Sequence, residues 1–194
     1  MEPLDSQVSF LVEADRLKTV LRQSTLTDGS RRENSAEHSW HLALMVLVLA
    51  EHAPPGIDLG RVMAMVVLHD LVEIDAGDLS VYAPEADQAR QRQAERAAAD
   101  RLFRMLPPVQ AASLRALWDE FEERATAEAK FARALDRLQP MLINMATGGG
   151  TWRAPGVTAG RAQLIEWGPW NPSTARSASC WKRTGSRRYC ARAR

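Results

Sequence analysis

The sequence VLHDLVEIDAGD, residues 67–78, places a histidine and an aspartate side by side at the end of an apolar run. The run that leads into the pair, VMAMVVL, occupies residues 62–68. An ionised carboxylate that is buried without a partner costs several kcal/mol or more, so buried carboxylates are normally paired or bound to a metal. The pair His69-Asp70 therefore needs a partner, which the rest of the chain has to supply.

Further acidic residues follow this pair at short intervals. If the segment is helical, Glu73 lies one turn beyond His69 and Asp70 and shares their face. Gly77 then ends the pattern, and Asp78 comes directly after it. A core histidine beside a capping aspartate is the ordinary structural explanation, and it is the more frequent one for a lone dipeptide. The alternative is a functional site, which requires ligands from elsewhere in the chain.

Length and composition favour one all-α domain. The chain has 194 residues, of which 45% are hydrophobic and 6% aromatic. That length can bury a sizeable core, and no stretch shows several alternating strands. No apolar run is long enough to span a bilayer, and no signal peptide opens the sequence. We therefore expect a cytoplasmic protein without a membrane segment.

The charge is distributed unevenly along the chain. Residues 153–194 contain nine Lys or Arg residues and one acid, Glu166, whereas the remainder has 16 basic and 23 acidic residues. The body is therefore acidic and the tail basic. The two cysteines, Cys180 and Cys190, both lie in this tail, which supports neither a disulfide framework nor a cysteine-rich zinc site.

The spacing of apolar residues predicts a series of helices. The first spans about Asp5 to Gln23 and carries Lys18 and Arg22 one turn apart. Asn34 followed by Glu37 is a capping-box pattern, which starts a second, almost entirely apolar helix that runs to about His52. The later helices are a third capped by Asp58, a fourth over about 85–106, a fifth after Pro107-Pro108 and a sixth capped by Thr126. The residues Thr27–Ser30 form a turn.

Two of these helices offer partners for the His-Asp pair. His38 lies in the first turns of the second helix, and Asp136 lies beside the core stripe of the sixth. Asp136 could also pair with Arg133 or Arg137. Mixed imidazole and carboxylate ligands suit a divalent metal such as Mn²⁺, Co²⁺, Fe²⁺ or Zn²⁺. His41, one turn after His38, is better explained as a structural histidine.

The order His…His-Asp…Asp is that of the HD-domain metal phosphohydrolases, and the surrounding sequence resembles their 5′-deoxynucleotidase-like branch. The resemblance extends over about residues 11–158. It is carried by four segments: RENSAEHS at 32–39, LHDLVE at 68–73, ALDRLQP at 134–140 and TGGGTWR at 147–153.

This resemblance implies an all-α HD-domain helical bundle with a metal site between its helices. One divalent ion, of Mn, Co, Fe, Zn or Mg, would be held by His38, His69, Asp70 and Asp136. Members of the branch hydrolyse deoxyribonucleoside 5′-monophosphates to deoxynucleosides and phosphate, and relatives are often homodimers. The chain has no further histidine between the His-Asp pair and Asp136, which argues for one metal.

The resemblance also suggests roles for residues around the metal. Glu73 would orient or activate water, and Asp78 would serve in acid-base chemistry or substrate positioning. A basic residue on the first helix contacts phosphate in relatives, and a dianionic phosphate needs cationic donors. Lys18, Arg22 and Arg32 are the candidates for this contact.

The sequence after residue 158 departs from the family. Relatives continue with an amphipathic helix, whereas residues 159–194 are rich in Trp, Arg, Ser and Gly. We expect an HD hydrolase domain over 1–158 and, over 159–194, a basic and poorly ordered tail that arises from a shifted reading frame. Two other functions stay open: an HD phosphohydrolase acting on nucleoside triphosphates or cyclic nucleotides, and a nucleic-acid-binding protein that uses the basic tail. The acidic body argues against nucleic acid as a partner.

Overall fold

The computed structural model describes residues 2–153 and Val157, so the predictions about residues 159–194 lie outside the described residues. This part of the chain contains seven α-helices and one small two-stranded antiparallel sheet, which confirms the all-α class. Their bounds are α1 Pro3–Ala14, β1 Leu21–Thr25, β2 Arg32–Asn34, α2 Ser35–Val48, α3 Leu59–Leu68, α4 Glu73–Ala76, α5 Glu85–Phe103, α6 Pro108–Glu123 and α7 Ala127–Ala146. Short 3₁₀ helices cover Asp15–Thr19, Ala50–His52, His69–Val72 and Gly150–Arg153.

The predicted first helix is wrong beyond its third turn. The α-helix ends at Ala14, and the chain then forms a hairpin in which β1 pairs antiparallel with β2. Backbone pairing between Leu21 and Asn34, which are far apart in sequence, outweighs the local helical pattern. Consequently Lys18 and Arg22 do not share a helix face, because Arg22 lies on a strand.

The predicted turn and helix starts are confirmed. Thr27–Ser30 lies in the connection between the two strands, where Gly29 has a φ of 71°. At the start of α2, the Asn34 side chain accepts a hydrogen bond from the Glu37 amide, and the Glu37 carboxylate accepts one from the Asn34 amide. The Asp58 side chain caps α3 by accepting a hydrogen bond from the Arg61 amide, and the Thr126 side chain caps α7 by accepting one from the Ala129 amide. Such caps depend on local hydrogen bonds.

The helix expected across residues 67–78 is interrupted. Helix α3 ends at Leu68, a 3₁₀ turn covers His69–Val72, and α4 follows until Gly77, whose φ is 74°. The indole Nε1 of Trp118 donates a hydrogen bond to the His69 carbonyl at 3.1 Å. The His69 carbonyl lies in the 3₁₀ turn, where the α-helical hydrogen-bond pattern is interrupted, and this bond gives it a partner on α6. The turn leaves His69, Asp70 and Glu73 all buried.

The core consists of two hydrophobic clusters. One is formed by α1, α5, α6 and the turn after α3, and includes Phe10, Leu102, Phe103 and Trp118. The other lies where α2, α3 and α7 pack against one another, and includes Leu42, Val62, Val66, Phe121 and Leu135. The packing of these three helices brings the predicted ligands close together. None of the described helices combines the length and apolarity needed to cross a membrane.

Candidate metal centre

Three predicted ligands meet in the interior of the bundle. His38 projects from the first turns of α2, His69 from the turn after α3, and Asp136 from the middle of α7; all three are buried. One donor atom from each lies within 4.8 Å of the others. Asp136 Oδ1 is 3.0 Å from His38 Nε2 and 3.7 Å from His69 Nε2. This donor set of two imidazoles and a carboxylate fits a divalent transition metal.

The His69 ring supports this assignment. Its Nδ1 lies 3.0 Å from the Val66 carbonyl, which can only accept, so Nδ1 carries the hydrogen. Nε2 is buried and has no hydrogen-bond partner in the described part of the chain, although Asp70 Oδ1 lies 2.9 Å away. Burial lowers the pKa of His69, but the adjacent Asp70 and Asp136 carboxylates outweigh it and raise that pKa to about 10. The Nε2 position therefore favours a proton or a metal cation.

Asp70, the fourth predicted ligand, lies at the edge of this cluster. Its Oδ2 is 3.9 Å from His38 Nε2 and accepts a hydrogen bond from Arg22 Nη1 at 2.6 Å. Burial acts to raise the pKa of Asp70, but His69 and Arg22 lower it well below its usual range. The structure thus brings all four predicted ligands together, with Asp70 also bonded to a cation.

Asp136 is held from its other side by Arg133. Arg133 Nη1 donates to Asp136 Oδ2 at 2.9 Å, which leaves Oδ1 facing the two imidazoles. Burial opposes ionisation, but Arg133 and the two histidines hold the pKa of Asp136 well below its ordinary value. The two possibilities for Asp136, an arginine pair and a metal ligand, are therefore compatible.

Glu73 and Asp78 lie beside the ligands. The Ser35 hydroxyl donates to Glu73 Oε2 at 2.5 Å, and the Gln23 amide donates to Asp78 Oδ2 at 3.1 Å. Burial and the nearby Asp70 carboxylate raise the pKa of Glu73 well above its usual value. Burial also raises the pKa of Asp78, although Arg22 opposes this change. Ser35 has no role in the sequence prediction, because its contact with Glu73 depends on tertiary packing.

The three candidate phosphate-binding cations occupy different environments. Arg22 is largely buried, lies beside Asp70 and lines the cleft over the ligands. Lys18 is 66% exposed and pairs with Asp15. Arg32 donates hydrogen bonds to the Leu21 and Arg22 carbonyls and so holds the hairpin together. Of the three, Arg22 alone is among the residues that line this cleft.

Glu33 is a buried residue to which the sequence interpretation gave no role. Its Oε1 accepts a hydrogen bond from Gln139 Nε2 at 2.6 Å, and its Oε2 lies 3.9 Å from both His38 Nδ1 and Arg22 Nε. Burial raises the pKa of Glu33 to about 7, against the opposing effect of Arg22. The sequence signal that could have identified Glu33 is the alternation of a strand: in β2 Arg32 is exposed and Glu33, the next residue, is buried. His41 lies outside the ligand cluster, 3.3 Å from Gln139.

A cleft of about 470 Å³ gives access to these groups. His69, Asp70 and Asp136 form part of its lining, together with Arg22, Glu73 and Asp78. Side chains of α5, α6 and α7, among them Gln88, Glu95 and Arg133, complete the lining. This volume is within the usual range for small-molecule sites. The arrangement can therefore place a small anionic molecule beside the metal ligands.

Solved structures and named proteins resemble this chain. The crystal structure of a predicted metal-dependent phosphohydrolase from Magnetospirillum magnetotacticum superposes with a TM-score of 0.84 at 49% identity, covering 95% of this chain and 93% of that one. The 5′-deoxynucleotidase HDDC2 of Xenopus laevis is 27% identical over 71% of this chain and 67% of its own length. The human protein of that name is also 27% identical, over 71% of this chain and 66% of its own length.

A family model described as HD domain matches residues 14–166. The match includes His38, the His69-Asp70 pair and Asp136, whose side chains meet in the interior of the bundle. The resemblance seen in the sequence is thereby confirmed, and the chain belongs to the HD-domain family.

Proposed function

We propose that this chain is a metal-dependent phosphohydrolase that converts deoxyribonucleoside 5′-monophosphates to deoxynucleosides and inorganic phosphate. The observation that carries the proposal is the buried cluster of His38, His69 and Asp136, which adjoins a cleft containing the buried cation Arg22. Membership of the HD-domain family and the names of the similar proteins support hydrolysis of a deoxynucleotide. The chain spans about two thirds of the length of these relatives.

The proposed ligands for one divalent ion, of Mn, Co, Fe, Zn or Mg, are His38, His69, Asp70 and Asp136. A bound divalent ion would offset phosphoryl charge and lower the pKa of water. The ligand types and the position of His69 Nε2, 2.9 Å from Asp70 Oδ1 and 3.7 Å from Asp136 Oδ1, support this assignment. The hydrogen bond from His69 Nδ1 to the Val66 carbonyl orients the ring, as outer hydrogen bonds do for metal-bound histidines.

Arg22 is the proposed phosphate-binding residue. A guanidinium can donate two parallel hydrogen bonds to phosphate oxygens, which gives both charge and orientation. Burial lowers the pKa of Arg22, but Asp70 and Glu73 outweigh this effect and raise it above its ordinary value. Arg22 therefore keeps its positive charge inside the cleft at any pH at which the protein is folded.

Glu73 and Asp78 are the proposed acid-base groups. In the reaction, a water oxygen bonds to phosphorus, the bond from phosphorus to the 5′ oxygen breaks, the water loses a proton and the leaving oxygen gains one. Glu73 orients the water and accepts its proton, while Asp78 supplies the proton to the leaving oxygen or positions the sugar. Both carboxyls line the cleft, and burial raises the pKa of each above its ordinary value, as is common for acid-base groups at functional sites.

Phosphate release from a substrate panel tests this function. The panel contains deoxy- and ribonucleoside monophosphates, deoxynucleoside triphosphates and a cyclic nucleotide, each with Mn²⁺, Co²⁺, Mg²⁺ or Zn²⁺. We expect the highest kcat/KM for deoxyribonucleoside monophosphates. In Asp70→Asn the rate should fall by more than the roughly 10–100-fold that loss of an outer-shell partner costs. The control is Asp75→Asn, whose carboxylate pairs with Arg101; equal rates in the two variants would contradict the proposal.

A homodimer is proposed as the assembled form. Large apolar side chains are exposed on two helices: Leu4, Val8, Leu11 and Val12 on α1, and Trp40, Leu44, Leu47 and Val48 on α2. Large apolar side chains left exposed on a helix face support an interface. Sedimentation equilibrium tests this assembly, and a monomer at micromolar concentration would contradict it.

A cytoplasmic location suits a nucleotide substrate, and fractionation of native cells tests that proposal.

A further inference from the structure

Three buried polar atoms around Glu33 lack hydrogen-bond partners in the described part of the chain. They are Glu33 Oε2, His38 Nδ1 and Arg22 Nε. Glu33 Oε2 lies 3.9 Å from each of the two nitrogens. A buried polar group without a partner is costly and rare, so two such nitrogens near one such oxygen require an explanation.

The Glu33 carboxyl group is anchored on the side away from these nitrogens. Gln139 Nε2, on α7, donates to Glu33 Oε1 at 2.6 Å, and the Glu33 backbone belongs to β2. The residue is 3% exposed, which excludes bulk water as the partner of its second oxygen. The carboxyl group is therefore held with Oε2 facing His38 and Arg22.

The side chains that carry these two nitrogens, His38 and Arg22, each contact another residue through a second nitrogen. His38 Nε2 faces Asp136 Oδ1 at 3.0 Å, and Arg22 Nη1 donates to Asp70 Oδ2 at 2.6 Å. If the lone pair of His38 Nε2 is given to a metal, the ring hydrogen must lie on Nδ1. The Arg22 Nε always carries a hydrogen. Both nitrogens then present donors to the same carboxyl oxygen.

We propose that Glu33 is a positioning residue whose Oε2 accepts hydrogen bonds from both His38 Nδ1 and Arg22 Nε, linking a metal ligand to the phosphate-binding cation. The inference rests on the proposed metal and phosphate roles of those two residues. A movement of about 1 Å brings each 3.9 Å separation to normal hydrogen-bond length. Since one oxygen serves both donors, loss of Glu33 weakens metal binding and phosphate binding together.

The substitution Glu33→Gln tests this link by binding measurements alone. Titration calorimetry with Mn²⁺ should show affinity reduced about 10–100-fold, the usual effect of losing an outer-shell partner of a metal-bound histidine. Affinity of the Zn²⁺-saturated protein for inorganic phosphate should fall about tenfold, as for one hydrogen bond to a charged group. If either affinity stays within about twofold of wild type, the shared role is overturned.

The matched control is Glu37→Gln. This substitution removes one negative charge, as Glu33→Gln does, but at the capping box of α2. There the Glu37 carboxylate pairs with Arg31 and accepts a hydrogen bond from the Asn34 amide. This variant should lose helix stability while both affinities stay unchanged. Equal losses of affinity in the two variants would show a general loss of structure and overturn the assignment.

A second measurement does not depend on any substitution. In the Zn²⁺-loaded wild-type protein, ¹⁵N-resolved NMR should place the hydrogen of His38 on Nδ1, with a proton resonance shifted downfield by its hydrogen bond to a carboxyl oxygen. A hydrogen on Nε2, or an Nδ1 proton without that shift, overturns the proposal even if Glu33→Gln does not fold. None of these measurements requires turnover, so they are separate from a failure of the proposed phosphatase activity.

Discussion

Arg22 Nη1 donates a hydrogen bond to Asp70 Oδ2 at 2.6 Å, and both side chains are largely buried. The bond joins strand β1 to the turn that follows α3, and it connects a candidate phosphate-binding cation to a candidate metal ligand. Removing one member of a buried charge pair leaves the other uncompensated. Substitutions at either position therefore affect the centre as a whole.

Arg22→Lys should reduce kcat/KM for a deoxyribonucleoside monophosphate about 10–100-fold, mainly through KM. Lysine keeps the charge but cannot form the paired hydrogen bonds of a guanidinium. Steady-state kinetics at saturating Mn²⁺ measures the effect. Lys18→Gln is the comparison, because that side chain is exposed and pairs only with Asp15 among described residues. A larger loss in Lys18→Gln than in Arg22→Lys would assign the phosphate contact to Lys18.

Metal affinity should rise with pH. In the metal-free protein the neighbouring carboxylates raise the pKa of His69 to about 10 in spite of burial, so the ring binds a proton at neutral pH. A metal must displace this proton, and affinity should increase about tenfold per pH unit between about pH 6 and about pH 8. Calorimetry in buffers of different ionisation enthalpy measures both the metal affinity and the number of protons released on binding. Affinity that does not change with pH, with no proton released, would contradict this prediction.

Stability of the metal-free protein should fall as pH rises from about 7 to about 10. The folded-state pKa of His69 exceeds the value of about 6.5 in the unfolded chain, so its contribution is complete below about pH 6.5 and is lost as pH approaches about 10. The raised pKa of Glu73 likewise makes its contribution decline as the pH rises above its ordinary value of 4.5. Urea denaturation with a chelator present measures the trend, and Zn²⁺-saturated protein is the control. Rising stability over this interval would contradict the pKa directions.

Arg124→Gly should stabilise the protein by about 0.5–1 kcal/mol. Arg124 ends α6 with a φ of 57°, so its Cβ is strained, and its exposed side chain borders the cleft. Glycine adopts this conformation without that strain. Urea denaturation measures the change, and Arg124→Ala is the control because alanine keeps the Cβ. If the two variants are equally stable, strain at this position is not the cause.

The four candidate ligands could be proposed from the sequence because most of their signals are local. His69 and Asp70 interrupt an apolar run, and the capping box at Asn34 fixes the start of the helix that carries His38. Caps and motifs of this kind depend on residues within a few positions of one another. The resemblance to a known family then connected these helices with Asp136.

The surroundings of the ligands could not be predicted because they depend on distant contacts. Pairing of Leu21 with Asn34 converts the end of an expected helix into a strand, and this places Arg22 beside Asp70. Glu33 meets Gln139 across 106 positions of sequence. The spacing of apolar residues along a helix carries no information about either contact. The positions of Arg22 on a strand and of the buried Glu33 carboxyl group are therefore evident only from the structure.

The most direct test of the central claim is phosphate release from deoxyadenosine 5′-monophosphate as Mn²⁺ is added to metal-free protein, in the wild type and in Asp136→Asn. The buried ligand cluster predicts that wild-type activity rises from zero and reaches its maximum at one bound Mn²⁺ per chain. Asp136→Asn should stay inactive at that concentration. Hydrolysis without metal, or full activity in Asp136→Asn, would contradict the account.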